Sequence, residues 1–416
     1  MAATIQSAFG LIALATIAWL FSENRRAVSY RDAGAGILLQ LVIGAVLIKF
    51  PGSQIVLVAL NHVVGALERA TLAGTGFVFG YVGGGAAPYE VVHPGSSFIL
   101  AFQALPLVLV ISALSAVLFH WGILPRIVQA FAFVLKRVLR IGGPLGVVVS
   151  SNIFLGMTES PLLIRPYLAS LTRSELFILM TCGMAMIAGT VMVVYAVFLE
   201  GVVPNPIGQL LTASLISAPA SIVVGRLMIP ETAAATAGSI TVPDEYRSTF
   251  DAIVKGTVDG LQILLAIVPM LIVLVALVAL ANEALGFLPH LDGTPLTLQR
   301  MLGIVMAPVA WLMGIPWSEA GTAGQLHGTK IVLNEFIAYL DFAKLPIDAL
   351  DARSKLIMSF ALCSFANFGS LGIMIGGLGV LAPSRRNEVV ALGPRAILSG
   401  TIATCMTGAT AGLLAG

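Results

Sequence analysis

The segment Asn152–Pro161 concentrates polar groups between two apolar runs. It places an amide (Asn152), a hydroxyl (Thr158) and a carboxylate (Glu159) within about two helical turns. Each flanking run is only about half the roughly 20 residues that a helix needs to cross a bilayer. Irregular polar backbone at membrane depth is tolerated only where protein or a water-filled cavity surrounds it. The sequence therefore predicts a re-entrant hairpin over 144–168, whose tip can hold a transported solute.

A second interrupted apolar region lies at 301–339, where Asn334 stands beside Glu335. Each predicted hairpin is followed by a spanning segment that small residues interrupt, 177–198 after the first and 356–381 after the second. The first hairpin would enter the bilayer from the cytoplasm and the second from outside. Inverted repeats with discontinuous helices near the midplane are typical of secondary transporters.

The composition is that of a membrane protein. Of 416 residues, 58% are hydrophobic and 10% are charged, and the mean hydropathy is +0.99, whereas soluble chains carry about 25% charged residues. The net charge of +2, with basic residues scattered rather than pooled, argues against a nucleic-acid partner. Cys182, Cys363 and Cys405 have neither metal-ligand nor disulfide-framework spacing, so they are predicted to be small core residues.

The apolar runs predict an all-α polytopic membrane protein with about eight transmembrane helices, two opposed re-entrant hairpins in inverted repeats, and interfacial helices. The segment Gln54–Val82 is apolar on one side only and is predicted to be an interfacial amphipathic helix. The predicted spans are Ile5–Phe21, Gly36–Phe50, Ser97–Leu118, Phe177–Phe198, Ile207–Ile229, Leu261–Ala281, Leu356–Leu381 and Ala396–Leu414.

The distribution of basic residues predicts the orientation. Under this layout roughly two thirds of the 22 Lys and Arg residues fall on one side, which the positive-inside rule makes cytoplasmic. Both termini are then periplasmic, and the expected location is a bacterial inner membrane. The other side carries Lys49, Arg69, Arg300, Lys330, Lys344, Arg353 and Lys355.

Glu159 and Glu335 are the strongest candidates for binding, because a carboxylate at membrane depth is costly unless it is paired, protonated or facing water. An ionised carboxylate only accepts hydrogen bonds, which suits a ligand that presents hydroxyl or N–H donors, such as a ribose or the edge of a base. The structural alternative is a hydrogen bond to a freed backbone amide at each hairpin tip.

Other polar residues admit two interpretations each. Asn367 and Ser370 lie three residues apart on one helical face, either for a ligand or for a polar contact between helices. Asn152 and Thr158 flank a turn whose carbonyls can coordinate a small cation, with ordinary helix capping as the alternative. Phe365 either stacks on a planar ring or packs in the core.

Enzyme chemistry has little support in the sequence. It contains no His-Glu-x-x-His, no Gly-x-Ser-x-Gly, no Walker loop and no paired His ligands. Neither intramembrane hydrolysis nor ATP-driven pumping is therefore predicted.

Five sequence blocks, in order over nearly the whole chain, resemble the concentrative nucleoside transporters. The resemblance implies a homotrimer in the lipid bilayer, with a scaffold domain (about 1–50, 97–118 and 261–285) and a transport domain that moves like an elevator. The blocks are Gly156–Leu168, Ser217–Ser221, Gly314–Trp317, Asn334–Tyr339 and Phe365–Ser370.

The resemblance also implies roles for individual residues. The nucleobase would lie against Met157, Thr158, Glu159 and Val191. The ribose hydroxyls would meet Glu335, Asn367 and Ser370, with Phe365 lining the site. The coupling sodium ion would be held by Asn152 and by the backbone carbonyls of Leu155 and Ile187.

Two positions depart from the pattern of bacterial members. Met157 stands where Gln is common, and this resembles members that accept purines or are broadly selective. Met186 stands where a Ser or Thr hydroxyl would complete the sodium shell, and a thioether is a poor ligand for a hard cation. The prediction is a sodium-coupled nucleoside importer that accepts purine nucleosides. Proton coupling through Glu159 or Glu335, a carrier of nucleobases or other small solutes, and a non-transporting membrane component remain the alternatives.

Overall fold

The computed structural model describes residues 2–90, 98–238, 246–288 and 295–415, and these ranges contain helices but no strand. The helices are α1 (Ala2–Leu20), α2 (Tyr30–Lys49), α3 (Pro51–Phe79), α4 (Leu100–Gln103), α5 (Leu107–His120), α6 (Ile123–Leu139), α7 (Gly143–Ser151), α8 (Arg173–Ala185), α9 (Gly189–Phe198), α10 (Pro206–Met228), α11 (Thr249–Gly286), α12 (Leu298–Met313), α13 (Trp317–Val332), α14 (Glu335–Ala343), α15 (Ala352–Ala361), α16 (Phe368–Leu381) and α17 (Arg386–Leu414). Short 3-10 segments lie at Arg25–Ala27, Gly80–Gly83, Ser160–Ser170 and Pro383–Arg385.

Within the described ranges, eight helical segments are long and apolar enough to cross a membrane, which agrees with the predicted polytopic class. The set differs from the predicted spans in two places. By length and composition α3 qualifies, although the sequence predicts an interfacial helix there. The predicted span 356–381 is instead divided between α15 and α16, so neither half has spanning length.

The first predicted hairpin consists of α7 and the 3-10 segment Ser160–Ser170, joined by the polar tip. The predicted range 301–339 covers parts of three helices, because α12 ends at Met313 and α13 starts after a bend of 118°. Gly314 makes this bend with φ of 107°, a left-handed conformation that favours glycine. The half-length pair that meets at Asn334 is therefore α13 and α14.

The order of elements repeats along the chain. In the first half α6, α7, the 3-10 segment, α8, α9 and α10 follow one another, and in the second half α12 to α17 follow with breaks in the same order. Each half contains one helix, two pieces that meet at a polar tip, one broken helix and one long helix. This supports the internal duplication predicted from the two Asn-and-Glu tips.

Local sequence explains where the broken helices stop and restart. A capping box between Thr172 and Glu175 starts α8, and the extended backbone of Met186 ends it. The second halves α14 and α16 start at Asn334 and Asn367, whose side chains accept the backbone N–H of the third helical residue at 2.9 and 2.7 Å. The restart at α16 is thus encoded by a cap that places a polar side chain at the interruption, whereas α9 starts after Ala188 with no side-chain cap.

Small residues allow the central helices to pack closely. A Cβ at Gly400 of α17 would lie 2.4 Å from the Cβ of Met184 in α8, and one at Gly225 of α10 would lie 2.6 Å from Ile178. By contrast, α11 contacts α5 through Gly256 and Gly260 and leaves most of its apolar surface exposed. A surface of this kind suits contact with lipid or with another subunit.

Candidate functional site

Glu335 lies at the start of α14, where its side chain is buried with 6% of its surface exposed. Its Oε1 accepts the Tyr195 hydroxyl at 2.8 Å, and its Oε2 accepts Asn367 Nδ2 at 2.9 Å. These bonds join α14 to the second half of each broken helix, α9 and α16. Both donors suit an acceptor-only carboxylate, and a ligand with hydroxyl donors can replace or join them.

Asn367 and Ser370 are brought together by the cap of α16. The Asn367 Oδ1 accepts the Ser370 backbone N–H, so the amide nitrogen is left to donate to Glu335. Both side chains are buried. The two interpretations of Asn367 are therefore combined, since it caps a helix and also contacts the acidic residue of the second tip.

The two broken helices touch at their interruptions. The Phe365 N–H donates to the Met186 carbonyl at 3.3 Å, and the Gly189 N–H donates to the Phe154 carbonyl of the first hairpin tip at 3.0 Å. A continuous series of contacts therefore runs from the first tip, through both breaks, to Asn367 and Glu335. Phe365 itself is half-buried against the core.

Val191 occupies the first turn of α9 and is buried with 6% of its surface exposed. It precedes Tyr195 by four residues, so both lie on one face of the helix. This face is the one that meets Glu335. Val191 therefore lies one helical turn before Tyr195 on that face, and its contact with the ligand stays a prediction.

Met157 and Thr158 pack against the helices that follow the tip. A Cβ at Gly183 of α8 would lie 3.0 Å from the Met157 Cβ, and a Cβ at Gly377 of α16 would lie 3.1 Å from the Thr158 Cγ2. Gly183 would also meet the end of Met374 at 2.8 Å. The first tip therefore closes onto both broken helices through positions that carry no side chain.

Glu159 folds back over the turn of its own hairpin. A Cβ at Gly156 would lie 2.2 Å from the Glu159 Oε2, so glycine is needed for this conformation. That oxygen is buried and has no hydrogen-bond partner among the described residues. Because a buried acceptor without a donor is costly, Glu159 is suited to receive an N–H or O–H group from a ligand.

The three predicted cation ligands differ from Met186 in whether their oxygens accept hydrogen bonds from the described residues. Asn152 Nδ2 donates to the Cys182 carbonyl at 3.1 Å, which leaves its Oδ1 without a donor among the described residues. The carbonyls of Leu155 and Ile187, outside the helices, likewise accept no hydrogen bond from the described residues. The Met186 carbonyl, by contrast, accepts a hydrogen bond from the Phe365 N–H. The Met186 side chain is fully buried.

The space around Asn152 is small. A cavity of about 10 Å³ is bounded by residues that include Asn152, Met157, Cys182 and Gly183. That volume holds about one water-sized species. Leu155 and Ile187 do not line this cavity, so of the three predicted cation ligands it contacts Asn152 alone.

A much larger cavity of about 640 Å³ lies apart from the predicted site residues, between α2, α3, α10 and the start of α15. Gln209 lines it and accepts the Ser359 hydroxyl at 2.8 Å, and Tyr339 donates to the Ser359 carbonyl at 2.8 Å. The Tyr339 ring in turn stacks on Tyr195, with centroids 4.9 Å apart. A series of contacts through Ser359, Tyr339 and Tyr195 therefore links the wall of the cavity to Glu335.

Two buried polar residues of this region escape sequence reasoning. Tyr195 is an aromatic residue in an apolar helix, and its only signal is its place one turn after Val191. The predicted orientation counts Lys330 among the basic residues of the non-cytoplasmic side, but its side chain has no exposed surface.

Models of known protein families match three parts of the chain. The model described as Na+ dependent nucleoside transporter C-terminus matches residues 209–412, and its N-terminal counterpart matches residues 9–82. A gate model described as nucleoside recognition matches residues 101–201. Both broken helices and both hairpin tips lie within these matches.

Relatives and solved structures agree over nearly the full length. An uncharacterized transporter of Bacillus subtilis (strain 168) is 39% identical over 97% of this chain and 98% of its own. The nucleoside permease NupC of Helicobacter pylori is 32% identical over 99% of this chain and 97% of its own. The structure of CNTnw in an inward-facing substrate-bound state has a TM-score of 0.91 and 34% identity, and the match covers 99% of this chain and 98% of that one. The chain therefore belongs to the concentrative nucleoside transporter family, a family of multi-pass membrane transporters rather than enzymes.

Proposed function

We propose that this protein imports nucleosides, purine nucleosides included, by symport with sodium. The observation that carries the proposal is the Glu335–Asn367 pair at the meeting point of α9, α14 and α16, next to a separate set of free carbonyl oxygens. A charged acceptor and an amide suit the vicinal hydroxyls of a ribose. The carbonyl set suits a hard cation.

In this proposal the nucleoside bridges the two repeats. The ribose bonds to Glu335, Asn367 and Ser370, with Phe365 lining the site. The base lies against Val191 and the first hairpin tip. Glu159 supports this arrangement, because its Oε2, which has no partner in the described part of the chain, can accept an exocyclic or ring N–H. At the tip, Met157 and Thr158 complete the surface for the base.

Met157 is the residue to which we assign the acceptance of purines. Its side chain lies beside Gly183 and Met374, so this part of the tip presents methyl, methylene and thioether groups. A flexible apolar side chain tolerates the larger ring system without requiring a particular hydrogen-bonding edge. A Gln at the same place would favour a base with a matching amide edge.

The coupling ion is proposed to lie between Asn152, the Leu155 carbonyl and the Ile187 carbonyl. These groups belong to the first hairpin tip and to the break between α8 and α9, so a bound ion would hold the two together. Cation binding would then order the tip and favour nucleoside binding, which couples the two events. Water would replace the hydroxyl that is absent at Met186.

Proton coupling is the second candidate, and one observation favours it. Met186 offers no side-chain oxygen, and the carboxyl groups of Glu159 and Glu335 both lie where a proton could cross with the substrate. Under this alternative, uptake would need no sodium.

Assembly and movement complete the proposal. We expect a homotrimer in a bacterial inner membrane, with both termini periplasmic and with the transport domain moving past the scaffold like an elevator. The exposed apolar face of α11 is consistent with burial against lipid or a neighbouring subunit. Chemical cross-linking of the protein in membranes tests the trimer, and a product limited to a dimer would contradict it.

The decisive experiment is adenosine and uridine uptake into proteoliposomes under a sodium gradient, repeated with a proton gradient in sodium-free buffer. Sodium-dependent uptake of both nucleosides is the expected result. Uptake driven by protons alone would replace sodium with the second candidate, and absence of uptake under either gradient would contradict nucleoside symport. Competition by free bases, which lack the ribose, separates a nucleoside carrier from a nucleobase carrier.

A further inference from the structure

Lys330, near the end of α13, is a fully buried lysine surrounded by neutral acceptors. Its Nζ donates to the Ala361 carbonyl at 3.0 Å, the Ser364 Oγ at 2.8 Å and the Thr404 Oγ1 at 3.4 Å. The Thr404 hydroxyl gives its own hydrogen to the Gly400 carbonyl at 3.0 Å, so it has a lone pair free for Lys330. Three acceptors match the three donors of an ammonium group.

Among the residues that the structure describes, no carboxylate forms an ion pair with Lys330. A buried charge without a directly paired counter-ion is costly unless other groups stabilise it, and the Glu335 carboxylate acts on Lys330 only through its charge. Ala361 is the last residue of α15, and the carbonyls at the C-terminal end of a helix carry partial negative charge. The ammonium group therefore stabilises the end of a half-helix, where a positive charge is favoured.

The position of Lys330 in the second repeat corresponds to that of Asn152 in the first. The run Ser151-Asn152-Ile153-Phe154-Leu155 leads into the first tip, and the run Thr329-Lys330-Ile331-Val332-Leu333 leads into the second. The first run begins at the last residue of α7 and the second contains the last four residues of α13, so both lie where the first half of a hairpin ends. Matching them residue by residue pairs Asn152 with Lys330.

The partners of the two side chains also correspond. Asn152 donates to the Cys182 carbonyl near the end of α8, and Lys330 donates to the Ala361 carbonyl at the end of α15. Each acceptor lies in the last turn of the first half of a broken helix. Each side chain thus reaches the negative end of the half-helix that follows its own hairpin.

The breaks that follow those half-helices match as well. The run Ala185-Met186-Ile187-Ala188 aligns with Cys363-Ser364-Phe365-Ala366, which pairs Met186 with Ser364. Ser364 is a direct partner of the Lys330 ammonium. The hydroxyl that is missing from the cation site of the first repeat is therefore present in the second, where it binds a lysine.

We propose that Lys330 is a tethered cation, whose ammonium group fills the second-repeat counterpart of the cation site and keeps a second coupling ion from binding. The inference rests on the proposed cation site at Asn152. It predicts one coupling ion per nucleoside in the natural protein. It also predicts that removing the ammonium group, while supplying an oxygen ligand, creates a site for a second ion.

The test compares Lys330→Asn with the natural protein in detergent and in proteoliposomes. We expect the rise of Tm with sodium concentration, measured against choline, to be steeper in Lys330→Asn. The charge moved per nucleoside should double. Lys330→Met is the matched control, because its side chain has similar length but offers no oxygen ligand and no charge. This variant should lose uptake without recovering it in high sodium.

Two outcomes would overturn the inference. One is a Lys330→Asn variant with the sodium response and the charge per nucleoside of the natural protein. The other is a Lys330→Met variant that transports normally. If neither variant folds, the reciprocal change Asn152→Lys decides, since it should give a protein whose Tm no longer depends on sodium, and a retained dependence would contradict the proposal.

Failure of the proposed function gives a different pattern. If the natural protein transports nucleosides with protons alone, sodium coupling is wrong. A gain of sodium-dependent stabilisation in Lys330→Asn would still support the tethered cation in that case. If the natural protein is sodium-coupled and Lys330→Asn gains nothing, only the tethered cation is wrong.

Discussion

The change Glu335→Gln tests the proposed ribose contact with little disturbance of the fold. The carboxylate now accepts Tyr195 at 2.8 Å and Asn367 at 2.9 Å. An amide can keep its oxygen toward the Asn367 Nδ2 and point its NH₂ toward the Tyr195 hydroxyl, which rotates to accept it. The substituted side chain has the same length and shape, so the resting network can survive.

The Glu335→Gln change is expected to weaken the state in which the nucleoside is bound. A carboxylate can accept two ribose hydroxyls as an anion, whereas the amide offers one neutral acceptor. A hydrogen bond to a charged group contributes about 1.5–3 kcal/mol, which corresponds to about a 10- to 150-fold reduction in uptake efficiency. Because adenosine and uridine share the ribose, both should fall by the same factor.

The assay is the initial rate of adenosine and uridine uptake into proteoliposomes, with the Tm in detergent as a measure of folding. Tyr195→Phe is the matched control, since it removes one donor to Glu335 but leaves the anion, and a neutral hydrogen bond of about 1 kcal/mol predicts only about a fivefold loss. If Glu335→Gln took up both nucleosides at the rate of the natural protein, or lost uptake of only one of them, the assignment of Glu335 to the ribose would be refuted.

Three further changes test other parts of the structure. Met157→Gln should move the adenosine-to-uridine uptake ratio toward uridine by about fivefold, the equivalent of one neutral hydrogen bond. Met186→Thr should lower the sodium concentration for half-maximal uptake by about fivefold. The added hydroxyl oxygen is taken to stabilise the bound sodium ion by about 1 kcal/mol, as much as one neutral hydrogen bond. Glu23→Gln should lower the Tm near neutral pH, because Glu23 pairs with Arg173 at 2.8 Å and also contacts Arg395. Surface pairs contribute about 0.2–1 kcal/mol each.

The Glu23 prediction has a defined pH dependence. The hydrogen bond from Arg173 lowers the pKa of Glu23 in the folded protein below the ordinary value of 4.5. The stabilisation is therefore present above the unfolded pKa and is lost as pH falls through the folded pKa. The Tm difference between natural protein and variant should vanish in acid, and a difference that persists there would contradict the ion-pair explanation.

The other two predictions also have contrary outcomes. An unchanged uptake ratio in Met157→Gln would remove that residue from selectivity. An unchanged sodium requirement in a folded Met186→Thr would mean that the cation does not approach position 186. Binding of a fluorescent nucleoside to the detergent-solubilised variants separates lost affinity from lost movement.

Much of the architecture follows from local sequence. The length of each apolar run limits it to a span or a half-span, and the Asn-and-Glu pairs mark both tips, because polar groups in hydrocarbon need partners. The caps Asn334 and Asn367 are also local signals, since each acts on a residue three positions away. The division of 301–339 into three helices is harder to predict from the sequence. Together α12 and α13 are apolar enough to be taken for one membrane segment, and the only signals of a bend between them are Gly314 and Pro316.

The sequence by itself indicates the membrane class and the family resemblance, and it predicts the two hairpins and the acidic and amide residues of the proposed site. Only the tertiary structure decided which groups meet. Tyr195 reaches Glu335 across 140 positions, and Lys330 donates to Ala361 of α15, to Ser364 in the break that follows it and to Thr404 of α17. Periodicity and capping act within a turn or two of helix, so they indicate that a polar residue must find a partner. The packing of the two repeats decides which partner it finds.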